Sequence, residues 1–127
     1  MVFEVNTNGF PKSVNGCHIV STPSETQKFP FCSEVIVLNE TNKMGIEFNW
    51  DVRVRIDGVI ATDLDSFIKM MDALVIVAKK FGYNKLFFAD YLSDEIMEMF
   101  LFYGFTETQV QGDDWNHYLD YTIAEDL

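Results

Sequence analysis

Between Asp63 and Gly82 the residues Leu64, Phe67, Ile68, Met71, Leu74, Val75 and Ala78 recur at three- and four-residue steps, which places them along one side of an α-helix. Asp63 is an N-cap by type and position, Lys79 and Lys80 fall where the helix dipole favours cations, and Gly82 supplies the stop. Met70, Ala73, Ile76 and Val77 widen the apolar stripe, so the helix 63–82 is expected to be largely buried. A helix with so broad an apolar side needs another layer to cover it, and the flanking sequence supplies sheet.

Ahead of the helix, Val35-Ile36-Val37-Leu38 and Met44-Gly45-Ile46-Glu47-Phe48 are two apolar runs around the polar turn 39–43, which predicts a hairpin. Asn49-Trp50-Asp51 then turns the chain into Val52 to Ile56, where alternation puts aliphatic residues on one face and Arg53 and Arg55 on the other. After the helix, Lys85 to Ala89 reads as an inner strand. Ser93 caps a second helix, 93–103, with Ile96, Met99, Phe100 and Tyr103 on one face and Gly104 at its end. Phe105 to Val110 and His117 to Ile123 form a closing hairpin around Asp113 and Asp114. All three prolines lie in the first third, which is expected to be an irregular, turn-rich segment, residues 1–33, with short extended pieces such as Cys17 to Ser21.

A chain of 127 residues suits one domain, and 48% hydrophobic against 23% charged residues is the composition of a folding chain. The fold class is α+β: a mixed, mainly antiparallel sheet of about six strands with two helices. A net charge of -11 repels a phosphate backbone, which argues against direct binding of nucleic acid. Met1 to Asn6 has no signal-peptide pattern, and the most apolar stretch, Phe67 to Ala78, is too short and too charged to span a bilayer. Cytoplasmic residence is the expectation, with Cys17 and Cys32 as reduced, packed thiols.

From Glu34 to Ile123 the order of meander, long helix ending in Ala78-Lys79-Lys80-Phe81-Gly82, strand, short helix ending in Tyr103-Gly104-Phe105 and final hairpin resembles the GNAT superfamily of N-acetyltransferases. The pair of helices that usually forms the substrate side of that family is missing or much reduced before residue 34. Family members hold the pyrophosphate of acetyl-CoA on an Arg/Gln-x-x-Gly-x-Gly/Ala loop at the start of the long helix, where backbone N–H groups and the dipole favour an anion. Counting back from Gly82, those positions fall on Thr62, Asp65 and Phe67, and none matches. Asp63 and Asp65 place negative charge where the phosphates would lie. The tyrosine that many members use as general acid becomes Phe100, and the asparagine seven residues earlier becomes Ser93. The resemblance therefore implies a degenerate, non-catalytic member without a cofactor. Its size and acidity are similar to those of small acetyltransferase-like proteins carried by tailed phages, some of them in virions. If the chain is active, the resemblance implies acetyl-CoA held on backbone amides from Ile56 through Gly58 and Ile60 to Ala61. Tyr103 would then be the acid and Glu47 or Asp57 the base.

From Leu86 onward there is no Lys or Arg, while the acids include Asp94, Glu95, Glu98, Asp113, Asp114 and Asp120. That polarity suits docking to a basic protein, for which Asp94, Glu95, Glu98, Asp113, Asp114 and Trp115 are the candidate contacts, or mimicry of nucleic-acid phosphates. His18 and His117 stand in no metal spacing, Asp113-Asp114 in no calcium-loop pattern, and no metal site is expected. Arg53 and Arg55 are expected to pair with acids such as Glu47. Edge strands in such a sheet allow a homodimer.

Overall fold

The computed structural model of the chain describes residues 10–29, 32–50, 53–90, 93–108 and 117–123. In chain order its elements are strands β1 (Ser13–Val14) and β2 (Cys17–Val20), the single-turn helix α1 (Pro23–Thr26), and strands β3 (Glu34–Asn39), β4 (Asn42–Trp50) and β5 (Arg53–Ile60). Helix α2 (Leu64–Lys80), strand β6 (Lys85–Asp90), helix α3 (Asp94–Tyr103) and strands β7 (Thr106–Thr108) and β8 (His117–Thr122) follow. The eight strands form one sheet in the order β1-β2-β3-β4-β5-β6-β8-β7. Every pairing is antiparallel except β5 with β6, where α2 makes the crossover that a parallel neighbour requires.

Both helices begin and end where their residues dictate. Asp63 Oδ1 accepts the Ser66 N–H at 2.7 Å, a bond that holds the Asp63 carboxyl below its ordinary range. Ser93 Oγ accepts from the Ile96 N–H at 3.4 Å. Gly82 and Gly104 take φ of 83° and 121°, where a side chain would be strained, and stop α2 and α3. No helix among the described residues is long and apolar enough to cross a membrane.

α2 lies across the sheet face made by Ile36, Met44, Ile46, Val54, Ile56, Leu86 and Phe88, all buried with Phe67, Met70, Met71, Leu74 and Val77 of the helix. The opposite face is built differently. Gly45 and Gly58 are cross-strand partners there, and the ring of Phe29 lies on them. A Cβ at Gly58 would stand 2.8 Å from Phe29 Cδ1, and one at Gly45 2.6 Å from Phe29 Cβ, so both positions must lack a side chain. Lys43, buried on the same face, bonds both carboxylate oxygens of Glu25 at 2.9 Å, tying α1 down beside Phe29. Arg53 lies over the Phe87 ring at 4.6 Å, and Arg55 Nε pairs with Asp57 Oδ1 at 3.2 Å.

The first third of the chain departs from expectation. Residues 13–20 form a hairpin that extends the sheet past β3, so among the described residues the strands number eight and the helices, with α1, three. The extended piece expected from Cys17 is β2, which pairs with β3, whereas the two-residue β1 carries too little alternation to be read and pairs with β2. Asn49 and Trp50, expected in a turn, continue β4, with Trp50 opposite Arg53. Cys17 and Cys32 are both free.

Candidate functional site

Two irregularities of β5 open the ladder beyond Ile56. Ile56 faces Ile46 while Gly58 faces Gly45, so Asp57 is an extra residue in the ladder, a β-bulge. The pairing of β5 with β6 ends at Ile56 and Phe88, yet β5 runs on to Ile60. From Asp57 to Ile60 the side of β5 toward β6 has no ladder partner in that strand. Ile56, Gly58 and Ile60, expected to offer backbone amides to an acyl donor, are therefore strand residues at or beside this fork, and Ala61 follows the strand's end. Ile56 is buried, whereas Ile60 is 47% exposed.

The start of α2 beside the fork is already occupied. Asn42 Oδ1 accepts the Thr62 N–H at 2.8 Å and the Thr62 hydroxyl lies 3.1 Å away, while Asn42 Nδ2 donates to Asn39 Oδ1 at 2.9 Å. With Ser66 taken by Asp63, two amides that an anion would use are bonded to side chains of the chain itself. Phe67 and Phe100, which the resemblance sets at the positions of a loop glycine or alanine and a tyrosine, are both fully buried and meet edge to face at 5.0 Å. Phe88 at 5.4 Å and Phe105 at 4.9 Å complete an aromatic cluster around Phe100.

Tyr103 donates its hydroxyl to Asp72 Oδ1 at 2.6 Å, linking α3 to α2. Burial first, and then that bond, push the phenol above its ordinary range. Glu47 stands opposite Arg55 in the ladder, and the Asp57 side chain is 2% exposed against the same arginine. Alternation along β5 sends Val54 and Ile56 to the helices and Arg55 to the opposite face, so these acids and Tyr103 are separated by the sheet. Burial, and next the charge of Asp57, push the Cys32 thiol up to about 11, with Glu34 and Glu47 adding to the effect. A thiol so placed stays protonated at neutral pH. Among the described residues no group of three or more His, Cys, Asp or Glu is placed to hold a metal ion.

Asp94, Glu95 and Glu98 are exposed on α3, whereas Asp113, Asp114 and Trp115 lie outside the described residues. An open groove of about 340 Å³ runs between the first turn of α2 and α3, lined by Leu64, Glu95, Glu98, Met99 and Phe102. Phe102 is 70% exposed. Sequence reasoning passed over Phe102 and placed Leu64, which is half-buried, on the core side of the long helix. The available signal was that Glu95, Glu98, Met99 and Phe102 stand at i, i+3, i+4 and i+7, a stripe that borders the buried face at Met99.

No family model matches the chain, and no curated protein does. Solved structures do. A protein described as a probable acetyltransferase, from Staphylococcus epidermidis, superposes with a TM-score of 0.58 at 11% identity, over 72% of this chain and 68% of that one. Ard1 from Thermoplasma volcanium gives 0.56 at 14% identity, over 79% and 76%. The yncA protein from Salmonella typhimurium, solved with its cofactor acetyl-CoA, gives 0.56 at 15%, over 74% and 66%. The chain has a GNAT-like α+β fold.

Proposed function

We propose that this chain is a non-catalytic GNAT-fold protein that binds a basic protein partner through the acidic surface of α3 and the residues beyond it. The contact between Phe67 and Phe100 carries the reading: two phenyl rings, neither able to donate a proton, fill the space beside the opening of the sheet. The amides of Thr62 and Ser66, bonded to Asn42 and Asp63, support it, since an incoming phosphate would have to displace both side chains. The absence of Lys and Arg after Lys85 supports a cationic rather than an anionic partner.

Thermal unfolding with and without millimolar acetyl-CoA tests this. A ligand at about 100 times its dissociation constant adds roughly 2.7 kcal/mol, several degrees for a domain of this size. We expect no shift. An upward shift, together with acetyl transfer from labelled donor to a primary amine, would replace this reading with a second one, an N-acetyltransferase. The specific observation in its favour is the fork after Ile56, beyond which β5 has no ladder partner in β6.

A further inference from the structure

We propose that the groove between α2 and α3 is the docking site for a basic, amphipathic segment of a protein partner. Its apolar side chains would seat on Leu64, Met99 and Phe102, and its Lys or Arg would reach Glu95 and Glu98. This deepens the partner-binding reading above and rests on it.

Glu95, Glu98, Met99 and Phe102 occupy one stripe of α3, so two carboxylates are followed by two apolar side chains along a single line beside Leu64. Phe102 is 70% exposed and its neighbour Leu101 44%, an apolar area that the chain's own core does not cover. An exposed apolar patch rimmed by charge is the composition of a protein interaction site. Among the described residues neither Glu95 nor Glu98 has an ion-pair partner, and Asp63 and Asp65 at the start of α2 add to the same negative field. That field selects the sign of the occupant: a cation on an apolar stem is attracted, and a polyphosphate is repelled. The volume, about 340 Å³, is at the low end for ligand pockets and suits one or two large side chains. A segment presenting apolar and basic residues at i, i+3, i+4 and i+7 would match the stripe residue for residue.

The probe is a fluorescein-labelled peptide with leucine and lysine at that spacing, followed by fluorescence anisotropy at low and high salt. Two control peptides replace the leucines by serine or the lysines by glutamate. Binding of the leucine-lysine peptide is expected, weakening as salt rises, with at least a tenfold loss in Glu95→Lys/Glu98→Lys and in Phe102→Ser. All three substitutions are on the surface, and unchanged melting temperatures will show that the variants are folded. The ε-methyl resonance of Met99 should move on titration while those of Met70 and Met71, buried on α2, stay in place. Equal binding by Phe102→Ser, or by the serine peptide, would overturn the groove while leaving a general acidic surface standing. Displacement of the peptide by acetyl-CoA would assign the groove to an acyl donor instead. If no basic peptide binds, the inference fails, and a melting temperature raised by acetyl-CoA would take the non-catalytic reading with it.

Discussion

α2 and α3 pack on the same face of the sheet, but they commit their apolar residues differently. Seven of the 17 residues of α2 are buried, and its exposed end carries Lys79 and Lys80 against the dipole. α3 has 10 residues, buries Phe100 alone, and leaves Leu101 and Phe102 in water. A helix that is mainly apolar by sequence but fully buries one residue is held by fewer core contacts than α2. For α3 these include the Phe100 ring, the Tyr103 hydroxyl on Asp72 and the Ser93 cap, with Ile96, Met97, Met99 and Tyr103 partly buried against the core. The difference teaches that α2 is scaffold, whereas the outer side of α3 is free to meet something else.

The largest effect should come from removing the anchor of α3. Phe100→Ala takes a fully buried ring from the centre of an aromatic cluster and should cost about 3–5 kcal/mol in chemical denaturation. Phe100→Tyr sharpens the comparison, because it adds a hydroxyl at the position where the resemblance sets an acetyltransferase's general acid. A buried hydroxyl without a partner costs roughly 1–3 kcal/mol, and we expect that loss with no gain in acetyl transfer. A variant that is stable and active would show that the site is poised for chemistry and not plugged.

On the other face, Gly58→Ala should destabilise by about 1–3 kcal/mol, because the new methyl group can be placed only by moving Phe29. Phe29→Ala with Gly58→Ala should recover part of that loss, the signature of a direct contact. Thermal melts of the two single variants and the double variant close the cycle.

Tyr103→Phe removes the bond to Asp72 and should cost about 0.5–1.5 kcal/mol at neutral pH. The phenol's pKa is raised on folding above its ordinary 10, so its contribution is complete below pH 10 and falls as pH rises beyond it. The wild type should therefore lose stability on the alkaline side more steeply than Tyr103→Phe. At the acid end the sign reverses. Glu25 is held below its ordinary 4.5, first by the Lys43 hydrogen bond, so its contribution is present above that pH and is lost as pH falls through the folded value. The decline of melting temperature below about pH 4.5 should be shallower in Glu25→Gln.

Much of this architecture is legible in the sequence because the signals are local. The period of Phe67, Met71, Leu74 and Ala78, the caps Asp63 and Ser93, and the stops Gly82 and Gly104 each involve residues within a turn or two of one another. What was not legible depends on residues far apart in the chain. Phe29 meets Gly45 and Gly58 only once β4 and β5 are in register, and Asn42 finds Thr62 only after the meander closes. The bulge at Asp57 is a property of pairing, not of composition. The candidate site divides the same way: the mismatch at Phe67 and Phe100 can be counted along the sequence, but their mutual contact cannot.

The smallest expected effect is the most informative about α3. Phe102 is 70% exposed, so Phe102→Ser removes little buried area, and stability should change by no more than about 0.5 kcal/mol. Leu74→Ala, a buried deletion of similar size on α2, should cost about 2–5 kcal/mol by the same assay. The two substitutions remove comparable apolar side chains from helices on one sheet face, and the ratio of their effects measures how far each helix is committed to the core. A loss at Phe102 approaching that at Leu74 would mean that the ring is covered within the folded chain. With Phe102 neutral for folding, any loss of partner binding in that variant belongs to the surface itself.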